Sequence, residues 1–134
     1  MGMKLSEKIP PRRFVVGTGL AATELRDCGT IALEPDEQVT FVSDGGREYD
    51  VCRKSWGYYA TPSTNSRLSG FGFRTALVLN AIGRLFVMIV ERERCAEFEA
   101  YCALDGQRVL VWLDDPGDVE RLIALAPLPA GPTP

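Results

Sequence analysis

The sequence predicts a small α+β domain, in which one or two helices pack on a curved, mostly antiparallel sheet or open barrel of about six to seven strands. Short strand-like runs recur at close spacing and are separated by turn residues, as at Asp44-Gly45-Gly46. Residues 20–27 are compatible with one or two helical turns, and longer helical periodicity is found only in later segments. The chain has 134 residues, of which 46% are apolar, and this is enough for one continuous core. We therefore expect a single domain over residues 14–126.

The first half of the chain is expected to be a flexible segment followed by strands. Residues 1–13 are polar and end in two prolines and two arginines, which predicts a flexible lead-in. Phe14-Val15-Val16 is typical of a short strand. Strand patterns follow at 28–33, 38–43 and 48–54, and turn residues separate them. These three patterns predict a three-stranded meander.

A second hairpin is predicted further along the chain. Strand patterns at 74–79 and 84–90 flank the turn Asn80-Ala81-Ile82-Gly83. The second strand is apolar at every position over 85–90. A continuous apolar run is typical of a strand that is covered on both faces, and we expect this of the second strand.

The C-terminal part is expected to contain two helices around one more strand. The periodicity over 93–104 predicts a helix whose inward side chains are Cys95, Phe98, Tyr101 and Cys102. A strand is expected at 108–113. Asp115 followed by Pro116 is a typical helix start, since aspartate caps the first turn and proline suits its first position. Residues 127–134 contain four prolines and are expected to form a disordered tail.

Composition and charge exclude several classes of protein. The longest apolar run is far shorter than the roughly 20 residues that cross a bilayer, and no secretory signal pattern opens the chain. The sequence has four cysteines without metal-ligand spacing and has no histidine. We therefore expect a cytoplasmic protein with reduced cysteines, no membrane contact, no metal and no cofactor.

A glycine-rich motif follows the first strand pattern. Gly17-Thr18-Gly19-Leu20-Ala21-Ala22 matches the G-x-G-x-x-A pattern of dinucleotide-binding turns. That pattern carries this meaning only between a strand and a helix of several turns, and Cys28-Gly29-Thr30 interrupts any such helix. We expect a short turn at this place and no nucleotide site.

The segment 54–74 is the strongest candidate for a functional surface. With Arg53 it carries four positive charges and no acidic residue, although the net charge of the chain is −3, and it holds five of the twelve aromatic residues. Aromatic rings provide stacking surfaces, and arginine and lysine donate hydrogen bonds to anions. The candidate ligand-binding residues are Lys54, Trp56, Tyr58, Tyr59, Asn65, Arg67 and Arg74. If this segment is a binding surface, Arg67 and Arg74 are both expected to be exposed cations that contribute little to stability.

The predicted function is a small binding or accessory module that is not an enzyme. Its ligand would be an anionic or polar molecule (a sugar phosphate or a nucleotide sugar) or a partner protein. Nucleic acid is disfavoured, because the net charge is negative and so few cations make few phosphate contacts. The opposing interpretation is plain packing, in which Trp56, Tyr58, Phe71 and Phe73 are core residues.

Two alternatives remain open. The first is a small metal-independent enzyme that uses tyrosine, lysine, arginine and a carboxylate or Cys52 at the same surface. Cys52 stands beside Arg53 and Lys54, which favour a thiolate, but histidine is absent as a base. The second is a structural subunit that adds a strand or an apolar face to a larger assembly, and a homo-oligomer is compatible with it.

Overall fold

The computed structural model describes residues 2–126, which form an α+β fold with eight strands and three helices. The strands are β1 (Lys4–Val16), β2 (Thr23–Ala32), β3 (Gln38–Val42), β4 (Glu48–Lys54), β5 (Gly57–Ala60), β6 (Phe73–Leu79), β7 (Leu85–Glu91) and β8 (Arg108–Trp112). The helices are α1 (Arg67–Gly70), α2 (Cys95–Leu104) and α3 (Pro116–Leu125). Every strand pair is antiparallel. The predicted fold class is confirmed.

The strands are divided among three sheets, which are not closed into a barrel. One sheet contains β1 and β2, the second has the order β3-β4-β5, and the third has the order β7-β6-β8. The predicted meander of 28–33, 38–43 and 48–54 is wrong in its first strand, because β2 pairs back onto β1. The turn at Gly17–Ala22 joins these two long strands directly, and β3 and β4 take β5 as their third strand instead.

The predicted flexible lead-in at 1–13 is wrong for residues 4–13, which belong to β1. Pro10 and Pro11 lie where the pairing register with β2 shifts, between Glu7 and Arg12. Proline has no N–H to donate, and an irregular register is therefore a place where a strand tolerates it. The Nζ of Lys8 lies 2.5 Å from the carboxylate of Asp27 on β2. The predicted tail at 127–134 lies outside the described residues, and a single domain stays a prediction.

The second hairpin and the C-terminal elements are confirmed. The strands β6 and β7 pair from Phe73↔Glu91 to Leu79↔Leu85. The helix α3 begins as predicted, with the side chain of Asp115 accepting a hydrogen bond of 3.0 Å from the backbone N–H of Asp118. Within residues 2–126, no helix combines the length and the apolar character that crossing a bilayer requires.

The core lies around β6, the central strand of its sheet. The largest side chains with almost no exposure are Leu68, Val78, Thr75 and Pro62. The prediction that β7 is covered on both faces is wrong, because β7 is an edge strand and Leu85, Phe86 and Val87 are exposed. On α2, Cys102 is buried as predicted, but Tyr101 is half-exposed.

Side-chain hydrogen bonds connect the β3–β4 hairpin to the end of β7 and the residues that follow it. The hydroxyl of Ser43 donates a hydrogen bond of 2.7 Å to Glu91. Arg47 donates to Glu93 at 3.0 Å and to the carbonyl of Phe71 at 2.9 Å. These contacts join the second sheet to the third, and they support the loop that precedes β6.

Candidate ligand-binding site

Strand register determines which side chains of the second sheet share a face. Cys52 on β4 is paired with Gln38 on β3 and with Tyr59 on β5. Directly opposed residues of an antiparallel pair place their side chains on the same side of the sheet. Gln38, Cys52 and Tyr59 therefore form one row across the three strands.

A second row lies next to it on the same face. The hydroxyl of Thr40 donates a hydrogen bond of 2.6 Å to Asp50, and the hydroxyl of Thr61 donates one of 3.1 Å to Gln38. Arg67 joins this row from α1, with its Nη2 lying 3.4 Å from the hydroxyl of Thr61 and 3.9 Å from the carboxylate of Asp50. The start of α1 therefore brings a guanidinium group onto the face that carries Tyr59.

Lys54 and Trp56 complete the other end of this face. The ring of Trp56 stacks on that of Tyr59, with the centroids 6.1 Å apart and the planes inclined by 26°. Lys54 follows Cys52 by two residues, so strand alternation puts both on one face. We call Lys54, Trp56, Tyr59 and Arg67 the aromatic–basic face.

Both cations of the aromatic–basic face have carboxylates nearby. The hydrogen bond to Asp36 raises the pKa of Lys54, and the ionisable groups of Cys52 and Tyr59 lie close enough to raise it further. Arg67 is held less tightly, because 3.9 Å to Asp50 is longer than a hydrogen bond. The Asp36 side chain is 73% exposed, and exposed ion pairs contribute typically less than about 1 kcal/mol, so a ligand anion can replace Asp36 beside Lys54 at small cost.

The aromatic rings of this face are accessible. The exposed fraction is 71% for Trp56 and 45% for Tyr59. The packing interpretation therefore holds for Phe73, which is buried, but not for Trp56 or Tyr58. Phe71 is partly exposed, with the guanidinium of Arg67 above its ring at 5.8 Å from the centroid.

The remaining predicted residues lie elsewhere. Tyr58 is opposite Arg53 and points to the other side of the sheet, where it is 62% exposed. Asn65 is exposed and lies in the loop before α1. Arg74 belongs to β6, in a different sheet.

Arg74 is a structural residue rather than an exposed cation. Its Nε donates a hydrogen bond of 2.9 Å to Asp114, and its guanidinium lies 3.8 Å from the ring centroid of Trp112. The exposed fractions of the Arg74 and Asp114 side chains are 24% and 9%. Burial opposes the charge on Arg74, but the hydrogen bond and charge of Asp114 outweigh it, and the pKa of Arg74 is raised. The prediction of an exposed cation is therefore wrong for Arg74.

The other sequence candidates occupy structural positions. The motif at 17–22 is a hairpin turn between antiparallel strands, with a 3-10 turn at Gly19–Ala21, and is not part of a dinucleotide-binding unit. Cys52 is buried, and its Sγ lies 3.4 Å from the carbonyl oxygen of Arg53. Cysteines and carboxylates form no group of three or more suited to a metal ion within residues 2–126.

Sequence reasoning missed the acceptors that surround the face. Asp36, Asp50 and Thr61 are not among the candidate ligand-binding residues that the sequence indicates. The turn Asp44-Gly45-Gly46 is the sequence feature from which Asp50 could have been found. A hairpin with its turn at these residues pairs Thr40 with Asp50. That register would have placed Asp50 beside the aromatic–basic face.

No protein-family model, curated protein or solved structure shows a significant match to this chain. The chemistry of the face is therefore the basis for proposing a function.

Proposed function

We propose that this chain is a binding module that recognises phosphorylated sugars on the aromatic–basic face. The observation that carries this proposal is the position of the stacked, exposed Trp56–Tyr59 pair on the same face as two cations. The flat apolar surface of an aromatic pair suits the C–H face of a sugar ring. Lys54 and Arg67 provide charge-assisted donors for a phosphate group.

The carboxylates on this face favour a ligand that has hydroxyl groups as well as an anion. Asp36 and Asp50 neutralise much of the positive charge, so a small anion alone has little attraction to the face. Carboxylate, amide and hydroxyl oxygens of Asp50, Gln38 and Thr61 accept hydrogen bonds from sugar hydroxyls. A sugar phosphate and a nucleotide sugar share this chemistry, and binding assays distinguish them.

Calorimetric titration of the purified chain tests this proposal. We expect glucose 1-phosphate or UDP-glucose to bind at least about tenfold more tightly than glucose or inorganic phosphate, because each of these contacts only part of the face. Trp56→Ala should weaken binding by about tenfold or more, since stacking on an aromatic ring is worth about 1–3 kcal/mol. Arg67→Gln should weaken binding of the phosphorylated forms and leave the weak binding of glucose unchanged.

Tyr58→Ala is the matched control, because it removes an exposed aromatic ring that lies two residues from Trp56 and on the opposite face of β5 from Tyr59. Its affinity should equal that of the unsubstituted chain. The proposal is wrong if neither phosphorylated sugar binds, or if Tyr58→Ala weakens binding as much as Trp56→Ala does.

A second candidate function, that of a structural subunit, is favoured by the β1–β2 sheet. Most residues of both strands are exposed, including Leu5, Ile9 and Val15. A two-stranded sheet is only marginally stable in water without further packing. No other strand of residues 2–126 pairs with its edges. These edges and the apolar side chains suit pairing with the same hairpin of a second copy of the chain.

Light scattering coupled to size-exclusion chromatography tests this self-association. We expect a dimer, and we expect Ile9→Asp with Val15→Asp to shift the mass toward the monomer, because two buried charges would oppose the contact. The matched control is Leu20→Asp, which changes a highly exposed residue outside both strands. A monomer at all concentrations of the unsubstituted chain would contradict the self-association.

A further inference from the structure

The largest of the cavities described within residues 2–126 lies between the two hairpins of the first and third sheets. Its volume is about 720 Å³. Ligand sites for small molecules commonly have volumes of about 300–1,000 Å³. The hairpin turn at 17–22, the turn at 80–83 and the C-terminal end of α2 contribute to its lining. The cavity is therefore large enough for a small organic molecule, and it is separate from the aromatic–basic face.

The walls of this cavity are mainly apolar. Val16 and Leu25 come from the first hairpin, and Ile82, Phe86 and Met88 come from the second. Val16, Leu25, Ile82 and Phe86 are among the exposed large hydrophobic residues of the chain. An apolar ligand in the cavity would remove these surfaces from water, which is the principal driving force for binding of this kind.

One end of the cavity is polar and has an unsatisfied acceptor. The amide Nε2 of Gln107 donates a hydrogen bond of 2.5 Å to the carboxylate of Asp105. Its Oε1 is buried and accepts no hydrogen bond from the described residues. Leaving a buried acceptor unpaired is unfavourable, so a rotation of the Gln107 side chain that lets Oε1 accept a hydrogen bond from a ligand donor would be favoured. Asp105 adds negative charge at the same end.

The two turns that line the cavity are held in place by local structure. Gly17 has a φ of 79°, and a Cβ atom at this position would lie 2.5 Å from the carbonyl oxygen of Ala21. The side chain of Asn80 accepts hydrogen bonds from the backbone N–H groups of Ile82, at 3.1 Å, and Arg84, at 2.8 Å. A preorganised wall loses little conformational entropy when a ligand binds.

We propose that this cavity is a second binding site, and that it accepts a small apolar molecule with a hydroxyl or ammonium group at one end. The apolar part lies against Phe86, Met88 and Leu25, and the donor group lies at the end formed by Asp105 and Gln107. A carboxylate at that end is disfavoured, because it offers no donor and faces the charge of Asp105. The sequence feature that forms one wall of this site is the 17–22 motif, because Gly17 permits the close turn that lines the cavity.

Three probes of equal chain length test the proposal with the full chain: 1-octanol, octylamine and octanoate. We expect octanol and octylamine to bind with dissociation constants of about 1 mM or below, and octanoate at least about tenfold more weakly. In ¹H–¹⁵N NMR titrations, the largest shifts should occur at Gly17, Ala81 and Gln107. Failure of both donor-bearing probes to bind, or their shifting of residues remote from the cavity, would overturn the proposal.

Variants separate this site from nonspecific apolar binding. Ala81 lines the cavity from an exposed turn, so Ala81→Trp should fill the space and reduce octanol binding by tenfold or more. Gln107→Leu should reduce it about five- to tenfold, because the acceptor is lost. Trp56→Ala is the control and should leave octanol binding unchanged even if phosphorylated sugars do not bind. Unchanged octanol affinity in Ala81→Trp would refute the site.

Discussion

Replacing Leu68 with alanine is expected to lower the free energy of unfolding by about 2–5 kcal/mol. Leu68 lies in the four-residue helix α1 and has an exposed fraction of 0%, so the substitution leaves a cavity in the core as well as removing buried apolar area. Such a loss is a large part of the roughly 5–15 kcal/mol that stabilises a typical domain. Urea denaturation followed by circular dichroism measures the change.

The matched control is Leu20→Ala, which makes the same chemical change at a residue that is 89% exposed. Its effect should stay within about 0.5 kcal/mol. Leu68 and Arg67 are neighbours in α1, and α1 contacts β6. Loss of the Leu68 side chain should therefore displace Arg67 and weaken sugar-phosphate binding as well as stability. Equal stabilities of the two leucine variants would contradict the burial of Leu68.

Arg74→Gln is expected to cost about 2–4 kcal/mol, because it leaves the largely buried carboxylate of Asp114 without its cation. The Oδ1 of Asp114 already has no hydrogen-bond partner among the described residues. Glutamine also loses the stacking of a cation on Trp112. The change is measured as a shift in the urea midpoint, with Arg84→Gln in the exposed turn before β7 as the control.

A double-mutant cycle identifies the cause of that loss. If the unpaired carboxylate is responsible, Asp114→Asn should recover part of the stability lost in Arg74→Gln, and the two single effects should not add. Strict additivity would show that the two side chains do not interact. If Arg74→Gln lowers the free energy of unfolding by less than about 0.5 kcal/mol, Arg74 contributes no more than an exposed cation does, and its structural role is refuted.

Local patterns were sufficient to predict several elements of the fold. The hairpin of β6 and β7 and the start of α3 depend on residues adjacent in sequence, namely the turn at 80–83 and the Asp115-Pro116 pair. The structure of β1 was not predictable in this way. Its prolines and charged residues suit a flexible segment, and it becomes a strand because β2 offers a long partner with Asp27 opposite its cations.

The candidate site was predicted in composition but not in geometry. Trp56, Tyr59, Lys54 and Arg67 share a face only because of the register between β4 and β5 and the position of α1. Arg74 belongs to the same basic and aromatic segment as Arg67, yet its partner, Asp114, lies 40 residues further along the sequence. Contacts over such separations depend on tertiary packing, which composition and periodicity along the chain do not encode.

The separation of the strands into three sheets also determines the order in which the chain is able to fold. All strand pairs of the first two sheets are formed within residues 4–60, between neighbours in sequence, so closing their loops costs little entropy. In contrast, β6 pairs with β8, whose residues 108–112 come later in the chain and are separated from β6 by β7 and α2. During synthesis, every strand of the first two sheets therefore has its pairing partners available before the central strand of the core has its second partner.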